Sequence, residues 1–210
     1  MSYNSCLLGV PIFKDLDVKD LEKITQLIEP VNLVKNESLF QAGDDLNHLY
    51  ILHRGSLKVY GLAENGKSHV LRLLNEGDFI GEHALLQAQE SEVSVDALSP
   101  SHVCMIKGPQ FAKLLEDTPE LSMKIIQALL NRLQDSDQRS TANLTLSARE
   151  RLLQALESMK DSNNTVTLDV SKREFASVLG MAQETLSRQF TNLEDEGLIK
   201  LKGQRTIILL

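Results

Sequence analysis

Three residues near the end of the sequence, Glu184, Ser187 and Arg188, have side chains that suit the reading of DNA bases. Their spacing of i, i+3 and i+4 places them on one face of a helix that we predict from about residue 183 to 196. An Arg fork matches O6 and N7 of guanine, a Glu can accept a hydrogen bond from the cytosine amine, and a Ser can serve either role. The alternative interpretation is that Glu184 and Arg188 form only an ion pair on a solvated helix face.

The segment around these residues has the layout of a helix-turn-helix. Ser171 and Glu174 have the spacing of a capping box, which predicts the start of a first helix. Gly180 then supplies a residue that can take a positive φ in a sharp turn. The predicted second helix has a separate apolar face, which consists of Leu186, Phe190 and Leu193.

The sequence after the second helix predicts a wing, which is a strand, a turn at Lys202-Gly203-Gln204 and another strand. Basic side chains on a wing can contact DNA phosphates. The predicted base-reading residues are therefore Gln183, Glu184, Ser187 and Arg188. The predicted contacts with the DNA backbone are Lys172, Thr185, Lys200, Lys202 and Arg205.

A longer helix is predicted to begin near Thr118 and to carry two apolar stripes. The first stripe consists of Leu121, Ile125 and Leu129. The second consists of Ile126, Leu130 and Leu133. Two stripes exceed what packing against one sheet requires, so we expect the helix to pair with its copy in a parallel C2 dimer. The predicted interface is Ile126, Leu129, Leu130 and Leu133, and the alternative is a helix packed wholly inside one chain. Neither stripe continues through residues 134–143. This segment is therefore either an extension of the helix into solvent or a flexible connection.

The segment from 31 to 106 predicts an antiparallel β-roll, because about eight short strand-like runs alternate with glycine-bearing turns. Asn65-Gly66 between two such runs is typical of a hairpin. The predicted fold is α+β, with an N-terminal β-roll, a long dimerisation helix and a C-terminal winged helix-turn-helix. The predicted domains are residues 1–117, 118–143 and 144–210.

The charge and composition are those of an ordinary globular protein, with 24% charged and 42% hydrophobic residues and a net charge of −7. Residues 145–210 hold nine basic and nine acidic residues, so the acidity lies in the N-terminal part. We found no apolar run near the length of a membrane span and no signal peptide, and we expect a cytoplasmic protein. We also found no nucleophile elbow, phosphate-binding loop or metal-ligand spacing, so we expect no enzyme activity and no bound metal.

Together these features resemble the Crp/Fnr family of bacterial transcription regulators over nearly the whole chain. The sequence QETLSR at 183–188 has the Glu-x-x-Ser-Arg pattern of the Fnr branch. The positions of Gly55, Gly66, Gly77-Asp78 and Gly81-Glu82 resemble the cyclic-nucleotide-binding roll. The resemblance implies a homodimer that binds double-stranded DNA at a palindrome with TTGAT-like half-sites. It also implies RNA polymerase as a partner if the protein is an activator.

The resemblance also identifies a degenerate ligand pocket at Gly81, Glu82, Ser91 and Glu92. In cyclic-nucleotide receptors of this type, the Gly-Glu pair binds ribose and a downstream Arg neutralises the cyclic phosphate. Here the position of that Arg falls within Glu90, Ser91 and Glu92, and two carboxylates would repel a phosphate. We therefore expect that cyclic AMP is not a cofactor and that Glu82 is hydrogen-bonded inside the roll.

Cys6 and Cys104 are the two cysteines of the chain. The Fnr branch proper holds an iron–sulfur cluster with four Cys ligands, which one subunit of this chain cannot supply. Similar Fnr-like proteins of Gram-positive bacteria also carry two cysteines, which implies a reversible disulfide as a redox switch. The alternatives are that Cys104 is an ordinary buried residue, that an unidentified small ligand binds in the roll, or that the chain is a sensing module acting through a protein partner.

Overall fold

A computed structural model describes residues 10–14, 16–62, 68–85 and 89–210 of the chain. The chain separates into two compact units, Met1–Arg132 and Leu133–Leu210. The boundary falls inside the long helix, so the segment that we predicted as a separate part from 118 to 143 contributes residues to both units. Among the described residues, none of the helices combines the length and the apolarity that crossing a membrane requires.

The first unit is an antiparallel β-roll, as predicted. One sheet has the strand order β1-β10-β4-β7, a second has the order β2-β9-β5-β6, and β3 pairs with β8. The strands of the described part are β1 (Glu29–Leu33), β2 (Ser38–Phe40), β3 (Asp45–Leu46), β4 (His48–Arg54), β5 (Leu57–Leu62), β6 (Ser68–Leu74), β7 (Phe79–Ile80), β8 (Gln89–Glu90), β9 (Ser94–Ala97) and β10 (Ser101–Lys107). Strands β5 and β6 pair as a hairpin, although the predicted Asn65-Gly66 turn lies outside the described residues.

The helices of the first unit cover one sheet of the roll. They are α1 (Val18–Leu27), α2 (Gly108–Asp117) and the first part of α3 (Pro119–Thr145), with short 3-10 helices at Pro11–Phe13 and Glu82–Leu85. Helix α1 begins where the side chain of Asp17 accepts a hydrogen bond from the backbone N–H of Asp20. Alternation along β4 sends Ile51 into the cluster shared with the helices and Leu52 into the cluster between the two sheets.

Helix α3 separates the two predicted apolar stripes. Leu121 and Ile125 are buried against the roll, and Leu129 is half-buried against the same cluster. Met123, Ile126, Leu130 and Leu133, which we call the exposed stripe, are 47 to 64% exposed. The side chain of Leu129 continues the stripe of Leu121 and Ile125, whereas the other three residues predicted for the subunit contact lie on the exposed stripe. The helix also runs through 134–143 to Thr145, in a stretch that lacks Gly and Pro.

The second unit is a winged helix-turn-helix. Its elements after α3 are α4 (Ala148–Met159), β11 (Thr165–Thr167), α5 (Lys172–Val178), α6 (Gln183–Asp195), β12 (Ile199–Lys202) and β13 (Thr206–Leu209). Both α4 and α5 begin with a capping box, formed by Ser147 with Glu150 and by Ser171 with Glu174. Strand β11 adds a third member to the wing sheet, whose order is β11-β13-β12. The sequence did not predict β11, because a strand of three residues is too short to show a clear alternation of polar and apolar side chains.

Candidate nucleic-acid interface

Helix α6 has one buried face and one exposed face. Leu186, Phe190 and Leu193 are at most 1% exposed and anchor the helix in the unit. Glu184, Ser187 and Arg188 lie on the other side of the helix and are exposed. Because the apolar face is buried, the predicted base-reading face points to solvent. Gln183 is also exposed, in the first turn of α6.

The alternative interpretation of an ion pair between Glu184 and Arg188 has no support in the structure. Within the described part of the chain, neither side chain takes part in a salt bridge. The acceptor and donor groups of this face are accordingly available to a partner outside the chain. Ala182 at the N-cap makes no side-chain hydrogen bond, so the first N–H groups of α6 also lack a side-chain cap.

The residues predicted to contact the DNA backbone differ in exposure. Lys200 and Lys202 on β12 and Arg205 after it are exposed, whereas Thr185 is half-buried. Lys172 is also half-buried, and its ammonium lies 5.2 Å from the centre of the Phe190 ring. This cation–π contact holds the Lys172 charge close to the core of its own unit. Lys172 is therefore a weaker candidate for a phosphate contact than the three wing residues.

The wing is fixed to α6 by a polar contact. Oε1 of Glu194 accepts a hydrogen bond of 2.7 Å from the backbone N–H of Leu201. Gly203 in the turn between β12 and β13 has a φ of +74°, which a Gly adopts without strain. Lys202 and Arg205 flank this turn, so the structure places basic side chains on the same unit as the reading face.

Sequence reasoning missed a bidentate ion pair at the other end of α6. Nη1 and Nη2 of Arg149 donate to Oε1 and Oε2 of Glu196 at 2.7 and 2.5 Å. This hydrogen bonding lowers the pKa of Glu196 and raises the pKa of Arg149. The pair joins the first turn of α4 to the C-cap of α6. No local spacing reveals it, because the partners are 47 residues apart in sequence.

Glu82, a residue of the predicted ligand pocket of the roll, forms an internal ion pair with Arg132. Nη1 of Arg132 donates to Oε1 of Glu82 at 2.9 Å, and Nη2 donates to the carbonyl of Phe79 at 2.8 Å. The Arg132 guanidinium also lies 4.5 Å from the centre of the Phe79 ring. Glu82 is thus hydrogen-bonded inside its unit, as predicted, although sequence reasoning had not identified Arg132. Oε2 of Glu82 is buried and has no hydrogen-bond partner among the described residues.

The remaining predicted pocket residues are Gly81, which follows β7, and Ser91 and Glu92, which lie in the loop before β9. Gly81 is buried with a φ of +90°, and a side chain there would collide with the carbonyl of His48. The hydroxyl of Ser91 is buried and donates to the carbonyl of Val93 within its own loop. Glu90 and Glu92 are exposed on either side of it. Of the predicted pocket residues, Ser91 therefore has a hydroxyl that is already hydrogen-bonded within its loop, and Glu92 has an exposed carboxylate.

Comparison with known proteins identifies both halves of the chain. The family "Cyclic nucleotide-binding domain" matches residues 30–118, and the family "Crp-like helix-turn-helix domain" matches residues 124–210. A "Probable transcriptional regulator flp" of Lacticaseibacillus casei is 30% identical over 208 residues, which cover 98% of this chain and 94% of that protein. The chain belongs to the Crp/Fnr family. It is a DNA-binding transcription regulator of the Crp/Fnr type.

Further relatives agree with the assignment to the Crp/Fnr family. The nitrogen fixation regulation protein FixK of Bradyrhizobium diazoefficiens is 27% identical over 201 residues, which cover 90% of this chain and 82% of FixK. The structure of the c-di-GMP-responsive global regulator CLP of Xanthomonas campestris has a TM-score of 0.79 at 21% identity. The likeness covers 92% of this chain and 99% of CLP. At 21% identity this likeness shows a shared fold. The Crp/Fnr family comprises transcription regulators, which are not enzymes.

The two cysteines of this Crp/Fnr regulator can be placed only in part. Cys6 lies outside the described residues. Cys104 lies on β10, is 2% exposed and belongs to the same buried cluster as Val10, Ile12 and Phe13. Among the described residues, no group of three or more His, Cys, Asp or Glu side chains is arranged to hold a metal ion.

Proposed function

We propose that this Crp/Fnr regulator binds as a homodimer to a palindrome with TTGAT-like half-sites. The observation that supports the proposal most directly is the division of α6 into a buried face and an exposed face of Glu184, Ser187 and Arg188. Arg188 would contact a guanine, and Glu184 would accept from a cytosine amine. Gln183 would lie beside them, at the helix end that enters the major groove first.

The exposed stripe of α3 supports the homodimer. Ile126, Leu130 and Leu133 recur at spacings of four and three, and each is about half exposed in the single chain. The stripe of Leu121, Ile125 and Leu129 packs against the roll of its own chain. A second copy of α3 packed in parallel would bury the exposed stripe and bring two copies of α6 to successive turns of one duplex.

The wing would supply contacts that position the protein without reading sequence. Lys200, Lys202 and Arg205 are exposed on one unit and would bind phosphates. The net charge of the chain is −7, so these local charges would carry the electrostatic part of the affinity. If the protein activates transcription, RNA polymerase would be its partner.

The test is a binding assay on a TTGAT-type palindrome and on a duplex of the same composition with scrambled half-sites. We expect tighter binding to the palindrome by at least about a thousandfold, with a dissociation constant that rises steeply with salt. Equal affinity for the two duplexes at every salt concentration would overturn the proposal.

We also propose control by thiol oxidation in place of cyclic AMP or an iron–sulfur cluster. Val10, Ile12 and Phe13 share a buried cluster with Cys104, and Cys6 precedes Val10 by four residues, a span of at most about 14 Å. A disulfide between Cys6 and Cys104 would thus be within reach of the chain. Glu90, Ser91 and Glu92 would give a cyclic phosphate no cation, and Arg132 is already paired with Glu82, so we expect that cyclic AMP does not bind usefully.

A second candidate for control is a small ligand in the roll. The observation in its favour is the buried Oε2 of Glu82, which has no hydrogen-bond partner among the described residues. A ligand with a hydroxyl or amine group could donate to that oxygen while Arg132 keeps its bond to Oε1. Calorimetry of the reduced protein with candidate ligands, and with a Glu82→Gln variant, would separate this control from thiol oxidation.

A further inference from the structure

The guanidinium of Arg151 lies where three backbone carbonyls of the second unit converge. Its Nη1 donates to the carbonyl of Leu146 at 2.9 Å and to that of Asn143 at 3.4 Å. Its Nη2 donates to the carbonyl of Gly180 at 3.4 Å. We infer that Arg151 is a positioning residue, which fixes the turn before α6 against the end of α3 and thereby orients the reading helix.

A cation at the end of α3 is favourable. The last carbonyls of a helix have no partner within it, and they carry the negative end of the helix dipole. Asn143 and Leu146 belong to that last turn and to the residue that follows it. A guanidinium offers several donors in a fixed plane, so one Arg can reach carbonyls on two elements at once. A Lys in the same place could satisfy the charge but not the geometry.

The turn before α6 meets the end of α3 directly. Gly180 has a φ of +62°, and a Cβ at this residue would lie 2.7 Å from Oδ1 of Asn143. Because Gly180 precedes the first residue of α6 by only three positions, a shift at its carbonyl displaces the N-terminus of α6. The contacts of Arg151 and Asn143 therefore act on the end of the helix that carries Glu184.

A cavity that is open to solvent lies beside Arg151, among α3, α4 and α5. It has a volume of about 490 Å³, and its lining includes Arg139 and Ala142 of α3, Arg151 of α4 and Phe175 of α5. On this side of the unit, the hydrogen bonds of Arg151 link the end of α3 to the turn before α6.

The role that we assign to Arg151 is indirect, and it rests on the proposed binding of a palindrome. Arg151 would act through the carbonyl of Gly180 and would not contact DNA. Loss of the side chain should weaken binding to the correct sequence, because the reading face would no longer be held in the orientation that matches the base edges. Binding to arbitrary DNA depends on phosphate contacts and should change little.

The experiment compares Arg151→Gln and Arg151→Lys with a matched Arg139→Gln variant. Arg139 lines the same cavity, but its Nε donates to the carbonyl of Asp135 within α3. We expect both Arg151 variants to bind the palindrome about tenfold more weakly, with unchanged binding to scrambled DNA and an unchanged salt dependence. Arg139→Gln should bind like the wild type.

Amide hydrogen exchange in the free protein provides a readout that does not need DNA. We expect faster exchange in both Arg151 variants at Gly180 and Met181, whose N–H groups donate to the carbonyls of Ser177 and Ala176. Exchange at Leu193, which is buried at the other end of α6, should be unchanged. This readout separates the inference from the proposed function, since failure of the wild type to prefer the palindrome leaves the exchange result intact.

Three results would overturn the inference. The first is wild-type affinity and wild-type exchange in Arg151→Gln. The second is a salt dependence that falls by about one unit of slope, which indicates a direct phosphate contact. The third is faster exchange throughout the second unit in Arg151→Lys as well, which indicates a general loss of stability.

Discussion

Arg132 and Glu82 form an ion pair within the roll unit, with 2.9 Å between Nη1 and Oε1. Both side chains are less than a quarter exposed, and the guanidinium is held further by the Phe79 carbonyl and ring. The pair fixes α3 to the loop that carries the predicted ligand pocket.

Replacing Arg132 by Met should lower the free energy of unfolding of the roll by about 1–3 kcal/mol, because it leaves a partly buried carboxylate without its donor. Denaturant unfolding measures the change. Glu82→Gln in the same background should recover part of the loss, since the unpaired charge is then gone. Strict additivity of the two substitutions would show that the side chains do not interact.

Arg188→Ala should weaken binding to the palindrome by about 1–3 kcal/mol and relax the preference for guanine at one position. The reason is loss of a two-pronged hydrogen bond to O6 and N7. Binding assays with each of the four bases at that position measure it. Lys202→Ala is the matched control, and it should weaken binding to all sequences alike. A uniform loss in Arg188→Ala would assign that residue to phosphate.

Leu130→Glu should convert the proposed dimer into monomers, because it would place a carboxylate in the proposed apolar contact between two copies of α3. Sedimentation velocity measures the change, and affinity for the palindrome should fall with it. Leu71→Glu on β6 is a suitable control, since Leu71 and Leu130 are both 54% exposed in the single chain. Dimers that persist in Leu130→Glu would place the subunit contact elsewhere.

Cys6→Ser and Cys104→Ser should each abolish the effect of a thiol oxidant on DNA binding. Formation of the disulfide removes two electrons and two protons from the pair, so loss of either thiol stops the reaction. The measurement is affinity for the palindrome before and after oxidation, together with titration of free thiols. A response to the oxidant that survives in both variants would end the disulfide proposal and leave DNA binding unaffected.

The Arg149–Glu196 pair should make the stability of the winged unit depend on pH. The Arg149 guanidinium lowers the pKa of Glu196, so the contribution is fully present above the ordinary value of about 4.5 and is lost as the pH falls through the lower pKa of the folded state. The free energy of unfolding, measured from pH 7 down to pH 3, should therefore decline less steeply in Arg149→Gln than in the wild type. The hydrogen bonds with Ser147 also lower the pKa of Glu150. The pH dependence of stability that comes from Glu150 should remain in the variant. Identical pH dependence in both proteins would contradict the prediction.

The sequence by itself determined the features that depend on local spacing. The capping box at Ser171 follows from two residues three positions apart, and the two faces of α6 follow from the helical period. The alternation of short strands and glycine turns likewise predicted a roll in 31–106. These features are readable because neighbours in sequence are neighbours in space within a helix or a hairpin.

The tertiary structure alone decided which distant residues meet. Arg132 and Glu82 are 50 residues apart, and Arg149 and Glu196 are 47 apart, so no period connects either pair. The structure also decided that Leu129 packs against the roll and that Lys172 lies over the Phe190 ring. Periodicity shows that a side chain lies on an apolar or polar face, but the partner of that face depends on how the elements pack in three dimensions.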